Sequence, residues 1–147
     1  MDALELLRAD HRQVEAWFEE FASADNLGER QDLAEQICRG LLLHMQIEEE
    51  MLYPLVQGAM EDKSLHHEAV VEHDLLRKLI ADVQASGIDD DYFSARIQVL
   101  AGLINHHFTE EEQAAGLFDE AEDAGIDLQT LGALMEQRRD ELVGEGN

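Results

Sequence analysis

Two stretches place a histidine and a glutamate four residues apart: His44 with Glu48 in "HMQIEEE", and His107 with Glu111 in "HHFTEEE". At ~100° per residue, positions four apart share one face of a helix, so each pair forms a two-pronged claw. Two further histidines, His11 and His73, each follow an acid, in "DH" and "EH". Imidazole and carboxylate together suit iron, manganese or zinc. Cys38 is the lone cysteine, so the thiolate signature of a structural zinc site is missing. Two carboxylates can bridge two ions, with the four imidazoles in the outer positions. That is too few donors for two closed octahedra, which leaves room for water or a small ligand and favours redox or small-molecule chemistry.

These residues stand where leucines belong. His11 lies between Leu7 and Val14. His44 and Glu48 interrupt a stripe that leads in with Leu33, Ile37 and Leu41 and leads out with Leu52 and Leu55. His73 lies between Val70 and Leu76, and His107 with Glu111 continues Leu100 and Ile104. One histidine on an apolar face is usually a satisfied core residue. Six polar groups facing one interior are another matter, because burying each unpaired costs several kcal/mol. A pair of metal ions removes most of that cost.

The stripes define the elements that must carry these groups. Four long amphipathic segments are expected, about 2–24, 29–60, 64–86 and from 90 onward, each with the 3-and-4 alternation of a buried helix face. The breaks "ADNLG", "EDKS" and "GIDDD" are short and carry turn or capping residues such as Asn26, Ser64 and Asp89. Short connections make neighbouring helices antiparallel. The expected fold is all-α, an up-down-up-down four-helix bundle over about 2–120, with a short extra C-terminal helix over about 127–143. That last helix, with Leu128, Leu131, Leu134, Met135 and Leu142, is expected outside the bundle, and Gly132 weakens it. The sequence shows no linker, and a single domain over 1–147 is expected.

The six groups also agree in depth. Counted from the turn near Asn26, His11 is 15 residues back and His44 is 18 forward. Similar counts hold for His73 and His107 about the turn near Gly87, so at ~1.5 Å per residue the mismatch is about one helical turn. The spacing repeats as well, from His11 to His44 and from His73 to His107. Each half supplies acid-His on one helix and His-x-x-x-Glu on the next, which implies two related hairpins holding two equivalent ions.

Other candidates rank lower. His106 with Glu110 offers a rival frame, but counting back from it meets Arg96. His66 falls on the face of His73 two turns away, ~10 Å along the axis, and reads as a bundle-end histidine. Glu15, four after His11, reads as a solvated flank residue. Trp17, Phe18 and Phe21 read as core, and Cys38 as an inert core thiol.

Composition narrows the partners. The chain has 34 acidic and 10 basic residues among 147, a net charge of −24. That excludes a phosphate-binding basic face, and hence nucleic acid or an anionic membrane surface, as the expected partner. No apolar run has the length of a membrane span. The start "MDALELLRADH" lacks an export pattern, and a lone thiol suits a reducing cytoplasm.

The motifs "LLRADHRQVE", "HMQIEEEMLYP", "VEHDLLRKLI" and "HHFTEEE", in that order, resemble the hemerythrin-like family, or HHE cation-binding domain, over nearly the whole chain. The resemblance implies a four-helix bundle with a non-heme di-iron centre, two iron ions with an oxo or hydroxo bridge, rather than zinc or manganese. It puts the ligands at His11, His44, Glu48, His73, His107 and Glu111, with Glu48 and Glu111 bridging. It also implies a diatomic ligand or peroxide as partner: dioxygen, nitric oxide or peroxide, in sensing or stress protection. Peroxide- or nitric-oxide-decomposing enzymes and iron-handling modules are the alternatives. Two departures stand out. Oxygen-carrying members have a further histidine where this chain has Arg77. The missing imidazole at Arg77 leaves completion of the site to water or to Glu15, His66 or His106, and the "FP" that usually closes the last motif is replaced by "EEEQAAGLFDEA", which predicts a longer or bulged end to the fourth helix.

Overall fold

A computed structural model describes residues 1–145. Among these the chain is all-helical. The helices are α1 (Ala3–Ser23), α2 (Leu27–Ile47), α3 (Tyr53–Ala59), α4 (Ser64–Ala85), α5 (Phe93–Glu112), α6 (Leu117–Asp123) and α7 (Leu128–Glu145). A π-helical turn, Glu48–Leu52, joins α2 to α3. No described helix is long and apolar enough to cross a membrane.

Capping side chains fix the starts. The Asp2 carboxylate accepts from the Glu5 N–H at 2.8 Å, and Asn26 accepts from the Glu29 N–H at 2.7 Å. Both satisfy donors that the first helical turn leaves open. The sequence pointed to Ser64 and Asp89 for the next two turns. Instead, Asp62 accepts from the Ser64 N–H at 2.9 Å and Asp90 from the Tyr92 N–H at 2.7 Å. The capping carboxylate thus lies two residues before the expected Ser64 and one after the expected Asp89.

Helices α1, α2, α4 and α5 form the bundle. One apolar cluster fills the end nearest the Asn26 turn, with Phe21, Ile37, Leu41, Ile80, Phe93 and Leu100. A second fills the other end, with Leu4, Leu7, Leu52, Tyr53, Phe118 and Met135. The polar slab lies between them.

Three expectations need correction. The second segment is not one regular helix. The Tyr53 N–H bonds to the Glu48 carbonyl, five residues back, so the π turn inserts a residue. The inward stripe therefore steps from Glu48 to Tyr53 and Val56, and Leu55, expected inside, is exposed. Val70 and Leu134 are exposed for a simpler reason: their neighbours Ala69 and Met135 face the core. Finally, the fourth helix is neither longer nor bulged. It stops at Glu112, turns through Ala115 at φ 61°, and resumes as α6. That turn lays Phe118 back into the core.

Helix α7 packs against α1 and α2. Gly132 is required there by close approach: a Cβ at that position would lie 2.5 Å from the Met1 carbonyl oxygen and 2.8 Å from the Asp2 carbonyl carbon.

Candidate metal centre

All six predicted residues meet in the central slab, and each is buried to 3 % exposure or less. The histidines converge in two pairs through Nε2. His11 Nε2 is 3.2 Å from His44 Nε2, and His73 Nε2 is 3.1 Å from His107 Nε2. Glu48 Oε1 sits between the pairs, 3.0 Å from His44 Nε2 and 3.5 Å from His73 Nε2. Glu111 Oε1 does the same from the opposite side, 3.4 Å from His11 Nε2 and 3.5 Å from His107 Nε2. The donor atoms form two overlapping groups: His11, His44, Glu48 and Glu111, and Glu48, His73 and His107.

The outward nitrogens explain why four Nε2 atoms face each other. His44 Nδ1 donates to Asp10 at 2.9 Å, His73 Nδ1 to Glu49 at 2.6 Å, and His11 Nδ1 to Glu112 at 2.7 Å. His107 Nδ1 faces Glu72 at 3.6 Å. In the three hydrogen-bonded pairs the carboxylate can only accept, so it fixes the proton on Nδ1 and leaves Nε2 pointing inward with its lone pair. Each of these four acids is the chain neighbour of an inner residue: Asp10 of His11, Glu72 of His73, Glu49 of Glu48, Glu112 of Glu111. The sequence reading missed their role, although "DH" and "EH" had flagged two of them. Arginines hold three of the four. Arg139 pairs with Asp10 at 2.5 Å and Arg77 with Glu49 at 2.7 Å, and Arg12 holds Glu112. Arg77, where oxygen carriers have a histidine, is thus turned outward to a neighbouring acid.

Tyr53 was not foreseen. Its hydroxyl donates to Glu111 Oε2 at 2.7 Å and lies 3.1 Å from His73 Nε2. Only the π turn brings it inward, and helical periodicity cannot announce a π turn. Phe108 stacks on the His11 ring at 3.7 Å, and Phe118 covers it from further out, at 5.6 Å.

The other candidates fall away. His106 is exposed and pairs with Glu110 at 3.0 Å on the outer face, so His107 holds the inner frame. Glu15 pairs with Arg12 at 3.3 Å, away from the slab. His66 is half-buried, 6.0 Å from the Tyr53 ring, and outside both donor groups. Burial, with Glu35 nearby, pushes the Cys38 thiol up to about 11, so it stays protonated.

The electrostatics call for positive charge. Burial pushes His44 down, but Glu48 and Asp10 lift its pKa to about 10. Burial likewise opposes His73, but Glu48 and Glu49 lift it to about 9. Burial pushes Glu48 up, yet His44 and its neighbours hold it well below the usual carboxylate range. Burial and the Glu48 charge push Glu111 up. Protons on imidazole are thus the substitute when no cation is bound. They serve poorly, because both Glu48 oxygens and Glu111 Oε1 are buried without a well-aligned hydrogen-bond donor. Cations held among the four Nε2 atoms would satisfy those oxygens, so the donor set fits a pair of metal ions.

The profile of the Hemerythrin HHE cation binding domain matches residues 2–116. The chain belongs to this family. It is a metal-binding helical bundle with a His/Glu cluster. A crystal structure of a hemerythrin HHE cation binding domain-containing protein from Mycobacterium kansasii has the same fold. Its TM-score is 0.80 at 21 % identity, covering 99 % of this chain and 89 % of that one. A DNA nickase from Nostoc sp. (strain PCC 7120) is 27 % identical over 112 residues, 76 % of this chain. The match spans 32 % of that relative's length.

Proposed function

We propose that this HHE chain is a cytoplasmic di-iron protein, its residues 1–147 forming one domain, that binds dioxygen, nitric oxide or peroxide in sensing or stress protection. One observation carries the reading: two pairs of Nε2 atoms converge on two buried carboxylates, three of whose four oxygens lack a hydrogen-bond partner. One ion would be held by His11 and His44, the other by His73 and His107, with Glu48 and Glu111 shared. The bound irons would supply redox chemistry and an open position for the ligand. The protein's own groups set the surroundings. Asp10, Glu49 and Glu112 orient His44, His73 and His11, Glu72 faces His107, and Phe108 and Phe118 keep water from the His11 side. Tyr53 holds a proton at Glu111 Oε2.

The buried Tyr53 hydroxyl favours a second reading, an enzyme that converts two hydrogen peroxide molecules to two waters and one dioxygen. A proton donor fixed beside the cluster suits O–O cleavage better than reversible binding. Burial, then the charges of Glu111 and Glu48, push this phenol well above its ordinary pKa, so the proton is present across the neutral range. A net charge of −24 repels a phosphate backbone, so DNA, the substrate that the Nostoc relative's name implies, does not suit this chain.

Elemental analysis of protein expressed in iron-replete medium should find about two iron atoms per chain. Zinc alone would sink the redox reading. Oxygen evolution on adding peroxide then separates the two readings. In the enzyme reading Tyr53→Phe slows it by about 10²-fold or more, as loss of a general acid does. In the binding reading neither form turns peroxide over.

A further inference from the structure

The four acids behind the histidines are not equivalent. Asp10, Glu49 and Glu112 are each paired with an arginine. Glu72 is the exception: among the described residues it has no arginine or lysine partner. Beside it stand a second carboxylate, Glu110, and the exposed imidazole of His106, 3.0 Å from Glu110 Oε1. One donor atom from each of Glu72, His106 and Glu110 lies within 4.8 Å of the other two. Where the other three positions supply a guanidinium, this one gathers three metal-type donors and no positive charge.

A second observation points inward. His107 Nδ1 is buried, faces Glu72 at 3.6 Å, and has no hydrogen-bond partner. It lines a narrow cavity of about 20 Å³, room for one water, together with Glu68, Glu72, Glu110 and Glu111. The cavity lies between α4, α5 and the start of α6, and reaches from Glu72 and Glu110 to Glu111, whose Oε1 is itself unpartnered. The outer cluster and the buried slab are therefore joined by one water-sized cavity, whose wall mixes the four glutamates with the apolar Leu65, Ala69 and Leu117.

We infer that Glu72, His106 and Glu110 form a third cation site, which holds a divalent transition-metal ion at the mouth of the cavity that adjoins the buried cluster. Two carboxylates and one imidazole are the donor types of the inner site, so the same metals are recognised. Exposure makes the outer site weaker, since water competes at the exposed His106 and the partly exposed Glu110. A weak site at the mouth suits an ion in transit. Glu72 faces both His107 and the outer pair, and it is the residue that would hand the ion inward. This delivery role rests on the di-iron reading; the surface site itself does not.

Mn²⁺ titration of the full-length chain, followed by the electron paramagnetic resonance of free aqueous Mn²⁺, tests the site. His106→Ala combined with Glu110→Gln should remove one weak ion per chain and leave the tight ones. Glu72 is left intact, because changing it would also disturb His107. Glu20→Gln on α1 is the charge control and should keep the weak ion. Stopped-flow uptake of Fe²⁺ by metal-depleted chain should slow about tenfold in the double variant, the scale of electrostatic focusing, while final iron content stays the same. A weak ion that persists in the double variant, or is missing from the unmodified chain, overturns the surface site. Uptake slowed equally by Glu20→Gln overturns the delivery role. If no tight ions load but the His106- and Glu110-dependent step remains, the di-iron reading falls and the surface site stands.

Discussion

Glu48 and Glu49 are neighbours in sequence and differ in what they face. Glu48 is fully buried and lies between both histidine pairs, whereas Glu49 reaches outward to His73 Nδ1 and Arg77. Glu48→Ala should therefore lose both ions, because it removes a donor common to both groups. Glu49→Ala should keep both ions at about 10–100-fold lower affinity, the usual cost of losing the partner that orients a ligand histidine. Chelator competition with metal analysis distinguishes the two, and equal loss would show that the inner and outer shells have been misassigned. The inner set was legible in the sequence because polar residues broke apolar stripes at matched depth. The outer set was only half legible. An acid beside a ligand reads as surface until the partner helix is placed, and Asp10 meets His44 34 residues away. Tyr53 was illegible for a different reason: an aromatic at that position reads as core until the π turn is known.

Among the elements, α7 tests how far local propensity can mislead. Gly132 counts against a helix by about 1 kcal/mol relative to alanine, and on that ground α7 was the weakest element of the sequence reading. The glycine is there because the N-terminal backbone crosses it, with the Met1 carbonyl oxygen 2.5 Å from where a Cβ would stand. Two effects oppose each other in Gly132→Ala. Helix propensity gains about 1 kcal/mol, but the added carbon meets backbone, which cannot swing aside as a flexible side chain would. Overpacking of this kind costs about 1–3 kcal/mol or more, so the net change should be destabilising. Urea denaturation should show a lower midpoint with an unchanged slope. A higher midpoint would mean that α7 does not dock on the start of α1. Helix α7 also carries Arg139, which holds Asp10 behind His44, so undocking should loosen one metal ligand as well. The four bundle helices were legible because their stripes are long and regular. The break after Glu112 was not, because Ala115 adopts a positive φ that its residue type does not advertise.

At the scale of the whole molecule, the buried slab makes stability depend on what supplies its positive charge. Without metal, His44 and His73 carry the charge, with pKa values raised to about 10 and about 9 from 6.5. A histidine pKa raised by folding stabilises the native state fully below the unfolded value, and that contribution is lost as pH rises through the folded value. Glu111, also raised, acts in the same direction. The lowered carboxylates Asp10, Glu48 and Glu49 act in the opposite direction, but their contribution is complete once pH is above the ordinary carboxylate range. From neutrality to about pH 9 the metal-free chain should therefore become less stable. Metal binding has the reverse dependence, because each ion must displace imidazole protons, and so it tightens as pH rises. An ion bound only by the native state adds to stability in proportion to the logarithm of its occupancy ratio. The melting-temperature gap between metal-loaded and metal-free chain should widen from about pH 6 to about pH 8.5, with the lower curve falling as the upper one holds. Thermal melts of both forms across that range decide it. A constant gap would mean that the imidazoles shed no protons to the metal. No gap at any pH would mean that the slab holds no ion in the folded state.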